Sequence, residues 1–335
     1  ASNGQEAMVR LLVRELGADV NMPNNTGWTP LMQAASKGYD SVVRLLVELG
    51  ANPRIPNKAG WTAVHACADK GHGATLRMLV LELGASASIS SSDGRTPVYA
   101  AAAAGQETMV RLLLSPDIRA EGVSAPCENG STPVTAAASK GHLPTLRALV
   151  EMGADPSTPN QNGWGAVHAA AEKGYETMMR ALITEFGVSH RQATNKGSTP
   201  LYCAASMGRD SMVRLLVELG ADPSTPNDKG WTPLAQAAYK GHLTTVRVLA
   251  ELGADPTTPK PTGFAAIHGA AEGGKEDVVR ALIDEYQISP MTPTYNGWTP
   301  LHGAAEKGEE DMVELLVKEF KADVNCAMND GRLPI

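Results

Sequence analysis

The feature that most constrains the fold is an internal repeat with a period of 33 to 36 residues. Each copy opens on a glycine, and the copies start at Gly27, Gly60, Gly94, Gly130, Gly163, Gly197, Gly230, Gly263 and Gly297. The first of these reads GWTPLMQAASKGYDSVVRLLVELGANPRIPNKA, and the one at Gly197 reads GSTPLYCAASMGRDSMVRLLVELGADPSTPNDK. A unit this short cannot bury its own apolar face, so successive copies are expected to stack on one another.

Each copy carries the signals of two short helices. Pro30 stands where the first helix begins, since proline is tolerated in the first turn, and this alanine-rich helix ends near Gly38. The second helix ends at Gly50. Its apolar face is formed by Val42, Val43, Leu45, Leu46 and Val47. The segment ANPRIPNKAG that follows has the proline, asparagine and glycine typical of turns.

These units resemble ankyrin repeats in their TPLH-like start, their paired alanines, the glycine before the second helix and the VVRLLVELGAD-like ending. The resemblance implies an all-α ankyrin-repeat solenoid, in which stacked helix–turn–helix units carry short β-hairpin or finger loops. Residues 1–26 then form a partial unit and residues 331–335 begin a further one. Full repeats occupy residues 27–59, 60–93, 94–129, 130–162, 163–196, 197–229, 230–262, 263–296 and 297–330.

A second period lies over the first. Three classes of copy alternate: class A at Gly27, Gly130 and Gly230, class B at Gly60, Gly163 and Gly263, and class C at Gly94, Gly197 and Gly297. Class B lacks the Thr-Pro pair and reads WTAVH, WGAVH or FAAIH. This triplet-duplicated array resembles the repeat arms of fungal signalling NTPases. The incomplete terminal units predict that the chain is a piece of a larger multidomain protein.

Composition and charge exclude several classes of protein. No apolar run approaches the roughly 18 residues of a membrane-spanning helix, and no signal peptide is visible. The four cysteines form no CxxC pair, which favours a reducing, intracellular and most simply cytoplasmic location without a metal site. A net charge of −7 argues against nucleic-acid binding.

All five tryptophans directly follow the opening glycine of a copy. In ankyrin repeats this position lies on the finger and faces a concave groove, so the resemblance implies a row of binding side chains. We name them the slot residues: Trp28, Trp61, Arg95, Trp164, Trp231, Phe264 and Trp298. Serine fills the two remaining positions, and the row is expected to be continuous from Trp231 to Trp298. The alternative is that each indole packs flat on the next finger.

A lysine precedes the mid-unit glycine in six copies: Lys37, Lys70, Lys140, Lys173, Lys240 and Lys307. At the end of the first helix a cation interacts favourably with the helix dipole. The lysines are alternatively a basic edge beside the slot residues that suits an acidic peptide, interrupted at Ala104, Met207 and Gly273. The secondary candidates for the groove are Met207, Tyr239, Lys240 and Lys307.

The second helices carry a column of arginines: Arg10, Arg44, Arg77, Arg111, Arg147, Arg180, Arg214, Arg247 and Arg280. Glutamates follow four residues later in several copies, as at Glu48, Glu218 and Glu251, and five residues later in others. We predict i,i+4 ion pairs that neutralise the column within each helix, so that it binds no nucleic acid.

No catalytic constellation emerges. His65, His168, His268 and His302 occupy the histidine of the TPLH-like segment, where family members bond a threonine three residues back. His168 and His268 lack that threonine and are expected to need another partner. Cys203 with His168 is the nearest approach to a nucleophile and base, but no orienting third group is evident. We expect no enzyme activity, cofactor or metal.

The sequence therefore predicts a module that recognises a protein or peptide through the concave groove, without nucleic-acid binding or membrane insertion, and most simply as a monomer. Two alternatives stay open. One is a structural spacer or spring without a specific ligand. The other is a small-molecule site in a gap at Gly269 and Gly303, where glycine replaces bulkier residues near Trp298.

Overall fold

The computed structural model describes residues 3–334, and it confirms the all-α repeat architecture. No β-strand occurs among these residues. The chain divides into two compact units, residues 1–161 and 162–335. In each unit the first helices of successive copies, here called inner helices, pack against one another, and the second or outer helices pack behind them.

In the first unit the inner helices are α2 (Pro30–Ala35), α4 (Ala63–Lys70), α6 (Pro97–Ala103) and α8 (Pro133–Lys140). The outer helices are α1 (Glu6–Arg10), α3 (Asp40–Glu48), α5 (Gly73–Arg77), α7 (Glu107–Leu113) and α9 (Leu143–Glu151).

In the second unit the inner helices are α10 (Ala166–Lys173), α12 (Pro200–Ser206), α14 (Pro233–Lys240), α16 (Ala266–Glu272) and α18 (Pro300–Lys307). The outer helices are α11 (Glu176–Arg180), α13 (Asp210–Glu218), α15 (Leu243–Glu251), α17 (Glu276–Asp284) and α19 (Glu310–Glu314).

The inner helices begin and end as their sequence predicts. Thr29 caps α2 by accepting a hydrogen bond from the amide of Met32 at 3.2 Å, and Pro30 is the first helical residue. At the C-terminal end of another inner helix, α4, Gly71 has φ = 81°, a conformation in which residues with a Cβ atom are strained. The Thr-Pro and Lys-Gly signals therefore mark genuine helix boundaries.

Several outer helices end in a wider, π-helical turn that the sequence analysis did not predict. These turns span Leu11–Glu15, Met78–Glu82, Ala181–Glu185 and Leu315–Glu319. In the 33-residue copy at Gly27, the amide of Ala51 bonds to the carbonyl of Leu46. In the 34-residue copy at Gly60, the matching amide of Ala85 reaches back one residue further, to Leu79. The extra residue is thus absorbed in the outer helix, as is common for π-bulges.

The core lies between the two helical layers and is built from aliphatic residues. In α3 the side chains of Val42, Val43, Leu45 and Leu46 are at most 2% exposed, as their spacing predicts. The fingers are turns, and single backbone hydrogen bonds join neighbouring tips. One example runs from the Ser92 amide to the Ala59 carbonyl at 3.0 Å.

Candidate functional site

The slot residues lie where each finger turns into its inner helix. The backbone amide of Trp61 donates to Oδ1 of Asn57 at 2.9 Å, and that of Trp231 donates to Oδ1 of Asn227 at 3.0 Å. At Trp298 the acceptor is Oγ1 of Thr294. The side chain four residues earlier therefore fixes the backbone of these slots. The tryptophans and Phe264 are half-buried, whereas Arg95 is exposed.

Four slot rings pack on a histidine of their own inner helix. The centroid distances are 5.6 Å for Trp61–His65, 5.3 Å for Trp164–His168, 5.1 Å for Phe264–His268 and 5.3 Å for Trp298–His302, with interplanar angles of 30° to 32°. Residues four apart share one face of a helix, which explains the contact. One side of each ring is thus used in packing, and the ring remains partly accessible.

These histidines join their inner helices to the fingers that follow. Nδ1 of His168 accepts the amide hydrogen of Gly165 at 3.1 Å, and Nε2 donates to the carbonyl of Ser198 in the next copy at 3.2 Å. His268 accepts from the Ala265 amide and donates to the carbonyl of Thr292, which lies in the finger of its own copy. The backbone amide therefore supplies the partner that the missing threonine would have given.

Burial favours the neutral form of three of these imidazoles. Desolvation lowers the pKa of His65, His168 and His268 to about 4, against a weaker opposing effect of their backbone hydrogen bonds. Cys203 is also buried, and desolvation raises its pKa to about 12. Since both nitrogens of His168 are bonded to the backbone, the residue is not placed to act as a base for Cys203.

Trp231 has a different environment, because its inner helix has no histidine at the corresponding position. Its ring contacts Tyr239 edge-on at 5.6 Å and Phe264 at 5.5 Å. Lys260 places its Nζ atom 3.5 Å from the Trp231 ring centroid and 4.2 Å from that of Phe264. Sequence reasoning missed Lys260. Its signal was a lysine four residues before the slot Phe264. The position four residues before each slot tryptophan holds asparagine or threonine instead, as at Asn227.

Two of the cavities beside slot residues of the second unit lie between neighbouring slots. The first, of about 500 Å³, is lined by Asn162, Trp164, Glu172, Thr194, Asn195, Lys196, Ser198, Tyr202, Cys203, Ser206 and Met207. The second, of about 470 Å³, is lined by Thr262, Phe264, Glu272, Thr294, Tyr295, Asn296 and Trp298. They occupy corresponding places one triplet apart. Phe264 and Trp298 thus flank a cavity, whereas Trp231 and Phe264 are in ring contact.

The secondary candidates fall in the same region. Met207 lines the first cavity and Tyr239 packs on Trp231, with exposed fractions of 43% and 37%. The Nζ atom of Lys240 lies 5.5 Å from the centroid of the Tyr239 ring. Lys307 pairs with Glu306 at 3.9 Å.

Other lysines of the supposed basic edge are paired in the same way. Lys70 and Lys173 lie 2.9 and 3.1 Å from the acid directly before them, Asp69 and Glu172 respectively. A carboxylate thus accompanies the lysine in these copies, which weakens the idea of a basic edge.

The predicted pairs with the glutamate four residues later are wrong for Arg44 and Arg214. Arg111 and Arg280 do form i,i+4 pairs within their helices, with the preceding Glu107 and Glu276 at 3.0 and 3.9 Å. Arg44 pairs with Glu82 of the next copy at 2.7 Å, and Arg214 pairs with Glu251 at 2.7 Å. The same pattern links Arg111 to Glu151, Arg180 to Glu218, Arg247 to Glu285 and Arg280 to Glu319. Neighbouring helices pack about 8–10 Å apart, a gap that an arginine spans.

The expected gap at the two glycines is also wrong. A Cβ atom on Gly269 would lie 3.0 Å from Cη2 of Trp231, and one on Gly303 would lie 2.7 Å from Cγ of Glu272. The glycines make room for these two side chains, which fill the space. The nearby cavity lies instead between Phe264 and Trp298.

Residues 3–334 contain no group of three or more His, Cys, Asp or Glu side chains arranged to hold a metal ion. Within the same range, every helix is too short or too polar to span a bilayer.

Comparison with known proteins matches the helix pairs and fingers to one family. A family model described as ankyrin repeats (3 copies) matches residues 1–89, 39–122, 83–160, 167–260 and 258–328. No curated protein matches the chain. Ankyrin repeats are generally protein–protein interaction modules and are typically non-enzymatic. The chain belongs to the ankyrin repeat family.

Proposed function

We propose that this chain is a recognition module that binds a protein or peptide on the face formed by its fingers and inner helices. The slot residues are the proposed contact positions: Trp28, Trp61, Arg95, Trp164, Trp231, Phe264 and Trp298. Met207, Tyr239, Lys240 and Lys307 surround them. Tryptophan, tyrosine and arginine are the residues most enriched among the dominant contacts of protein interfaces.

The observation that carries this proposal is where the second unit exposes large apolar side chains. Met207, Tyr239 and Tyr295 are 43%, 37% and 71% exposed, and each lies beside a slot residue. Exposed apolar groups gathered in one place mark interaction surfaces. The outer helices of this unit present arginine–glutamate pairs instead, as at Arg214 and Glu251.

Local rigidity also favours binding on this face. The hydrogen bond from the Trp231 amide to Asn227 and the ring contact with Phe264 hold the Trp231 side chain before a partner arrives. A pre-positioned ring loses little conformational entropy on binding, so more of its buried area contributes to affinity.

The test compares exposed apolar residues on the two faces. Affinity purification with the full chain identifies a partner, and titration then measures its Kd for Met207→Ser, Tyr295→Ser and Leu81→Ser. Leu81 is the matched control, because it is 50% exposed on an outer helix. We expect the first two variants to weaken binding at least tenfold and Leu81→Ser to leave it unchanged. Equal effects of all three variants, or a partner lost only with Leu81→Ser, would contradict the proposal. Failure to recover any reproducible partner would favour a spacer.

A further inference from the structure

The slot aromatics already hold one cation from the chain itself. The Lys260 ammonium lies over the faces of both Trp231 and Phe264, at 3.5 and 4.2 Å from the ring centroids. Aromatic faces attract cations through their quadrupole, more strongly where water is partly excluded. The cleft between Trp231 and Phe264 therefore shows that a cation fits between neighbouring slot rings.

The next cleft, between Phe264 and Trp298, contains an unpaired acid. Glu272 lines its cavity of about 470 Å³ and is half-buried. The side chain passes over Gly303, where a Cβ atom would lie 2.7 Å from its Cγ. Among residues 3–334 the Glu272 carboxylate has no ion pair within 4.0 Å and no hydrogen bond. Burial raises its pKa, whereas the more distant Lys307 and Lys260 act in the opposite sense.

A sequence difference accounts for this unpaired state. In three other copies an acid stands eight residues after the slot and a lysine follows directly, forming the pairs Asp69–Lys70, Glu172–Lys173 and Glu306–Lys307. After Glu272 the lysine is replaced by Gly273. A partly buried carboxylate without a counter-ion is unfavourable, so this cleft lacks the cation that its relatives supply internally.

We propose that the cleft between Phe264 and Trp298 binds a basic side chain, lysine or arginine, of the protein partner, with Glu272 as its counter-ion. The proposal rests on the proposed function and specifies the chemistry recognised there. The cation lies in the cavity that Phe264, Trp298 and Glu272 line, and its N–H groups donate to the carboxylate. The aliphatic stem of such a side chain packs well on apolar surface, which the exposed ring of Tyr295 provides at the rim.

The experiment uses the full chain and two small probes, Nα-acetyl-arginine methylamide and its neutral isostere Nα-acetyl-citrulline methylamide. Two-dimensional NMR follows the indole N–H signal of Trp298 during titration. We expect a saturable shift with the arginine probe and none with citrulline. Glu272→Gln should weaken arginine binding at least fivefold. Glu172→Gln removes the same charge from the lysine-paired acid one triplet away and should change binding less than twofold.

The outcomes separate this proposal from the proposed function. Equal shifts with both probes, or arginine binding that survives Glu272→Gln, would overturn the cation site. Circular dichroism melting of Glu272→Gln checks that the variant is folded. A partner that loses affinity with Met207→Ser yet binds Glu272→Gln normally would preserve the proposed function and overturn only the cation site.

Discussion

Lys260 and Trp231 form a cation–ring contact of 3.5 Å within the copy that spans residues 230–262. The lysine sits between two prolines in the finger, and its ammonium also lies 4.2 Å from the Phe264 ring centroid. Desolvation lowers its pKa to about 8, and the repulsion from Lys229 adds to this effect, whereas Glu272 opposes it. This amine therefore loses its proton at a pH where other lysines remain charged.

We predict that Lys260 reacts several-fold faster than Lys58 with an amine-reactive reagent at pH 8. A group with a pKa of about 8 is about half neutral there, whereas an ordinary lysine is only about 0.3% neutral. Competitive labelling with mass spectrometry measures both rates on one sample. In Trp231→Ala the Lys260 amine becomes more accessible and yet should react more slowly, because its pKa rises. Faster labelling in that variant would show that access controls the rate.

Acid should destabilise the array through its buried histidines. The pKa of His65, His168 and His268 is about 4 in the fold and about 6.5 when unfolded, so only the unfolded chain gains these protons between those values. The free energy of unfolding therefore falls as pH drops from about 6.5 to 4. One pKa unit corresponds to about 1.4 kcal/mol, so each histidine contributes on the order of 3 kcal/mol at most.

Urea unfolding midpoints between pH 7 and pH 4.5 measure this loss. His168→Gln should be less stable than wild type at pH 7 and should lose less stability on acidification. Parallel pH curves for the two proteins would mean that His168 does not contribute. A direct check is NMR titration of the His168 ring, which should show no protonation above pH 5.

At Arg214 the arginine column should couple neighbouring copies instead of residues within one helix. Arg214 pairs with Glu251 of the next copy, although Glu218 stands four residues away on its own helix. A double-mutant cycle of Arg214→Gln with Glu251→Gln should give a small favourable coupling that disappears in high salt. The matched cycle with Glu218→Gln should give none. A larger coupling to Glu218 would restore the i,i+4 interpretation.

These examples show which parts of the structure were readable from the sequence. The ends of the inner helices follow from local chemistry, since Thr29, Pro30 and glycines such as Gly71 act on their own backbone. The slot and its histidine are four residues apart, so their contact follows from helix geometry. Features that depend on two or three residues of one copy were therefore predictable.

Features that depend on residues far apart in the sequence were not. Arg214 has two candidate acids in the sequence, and only the spacing of neighbouring outer helices decides between them. The contact of Lys260 with Trp231 requires the path of the intervening finger. The π-turns had a readable signal, namely one extra residue and the shift of Glu82 relative to Glu48. That this signal marks a π-turn is seen only in the structure, where the Ala85 amide donates to the Leu79 carbonyl.

The last prediction concerns Gly269 and the ring that covers it. Gly269→Ala adds a Cβ atom 3.0 Å from Cη2 of Trp231, so the ring must move by a few tenths of an ångström. Replacing glycine by alanine inside a helix otherwise gains about 1 kcal/mol. We expect these effects to cancel, leaving Gly269→Ala neutral or slightly destabilising in the otherwise unchanged chain.

In the Trp231→Ala background the clash is absent, and Gly269→Ala should then stabilise by about 0.5–1 kcal/mol. Trp231→Ala alone should cost about 1–3 kcal/mol, since its ring is half-buried, compared with about 3–5 kcal/mol for a core aromatic. Urea unfolding of the four proteins measures the coupling.

Trp61→Ala is the control, because a slot outside contact range should be additive with Gly269→Ala. Additivity with Trp231→Ala as well would mean that the ring does not rest on Gly269. A loss for Trp231→Ala as large as that of a core aromatic would identify the ring as packing between copies and remove it from the proposed contact positions.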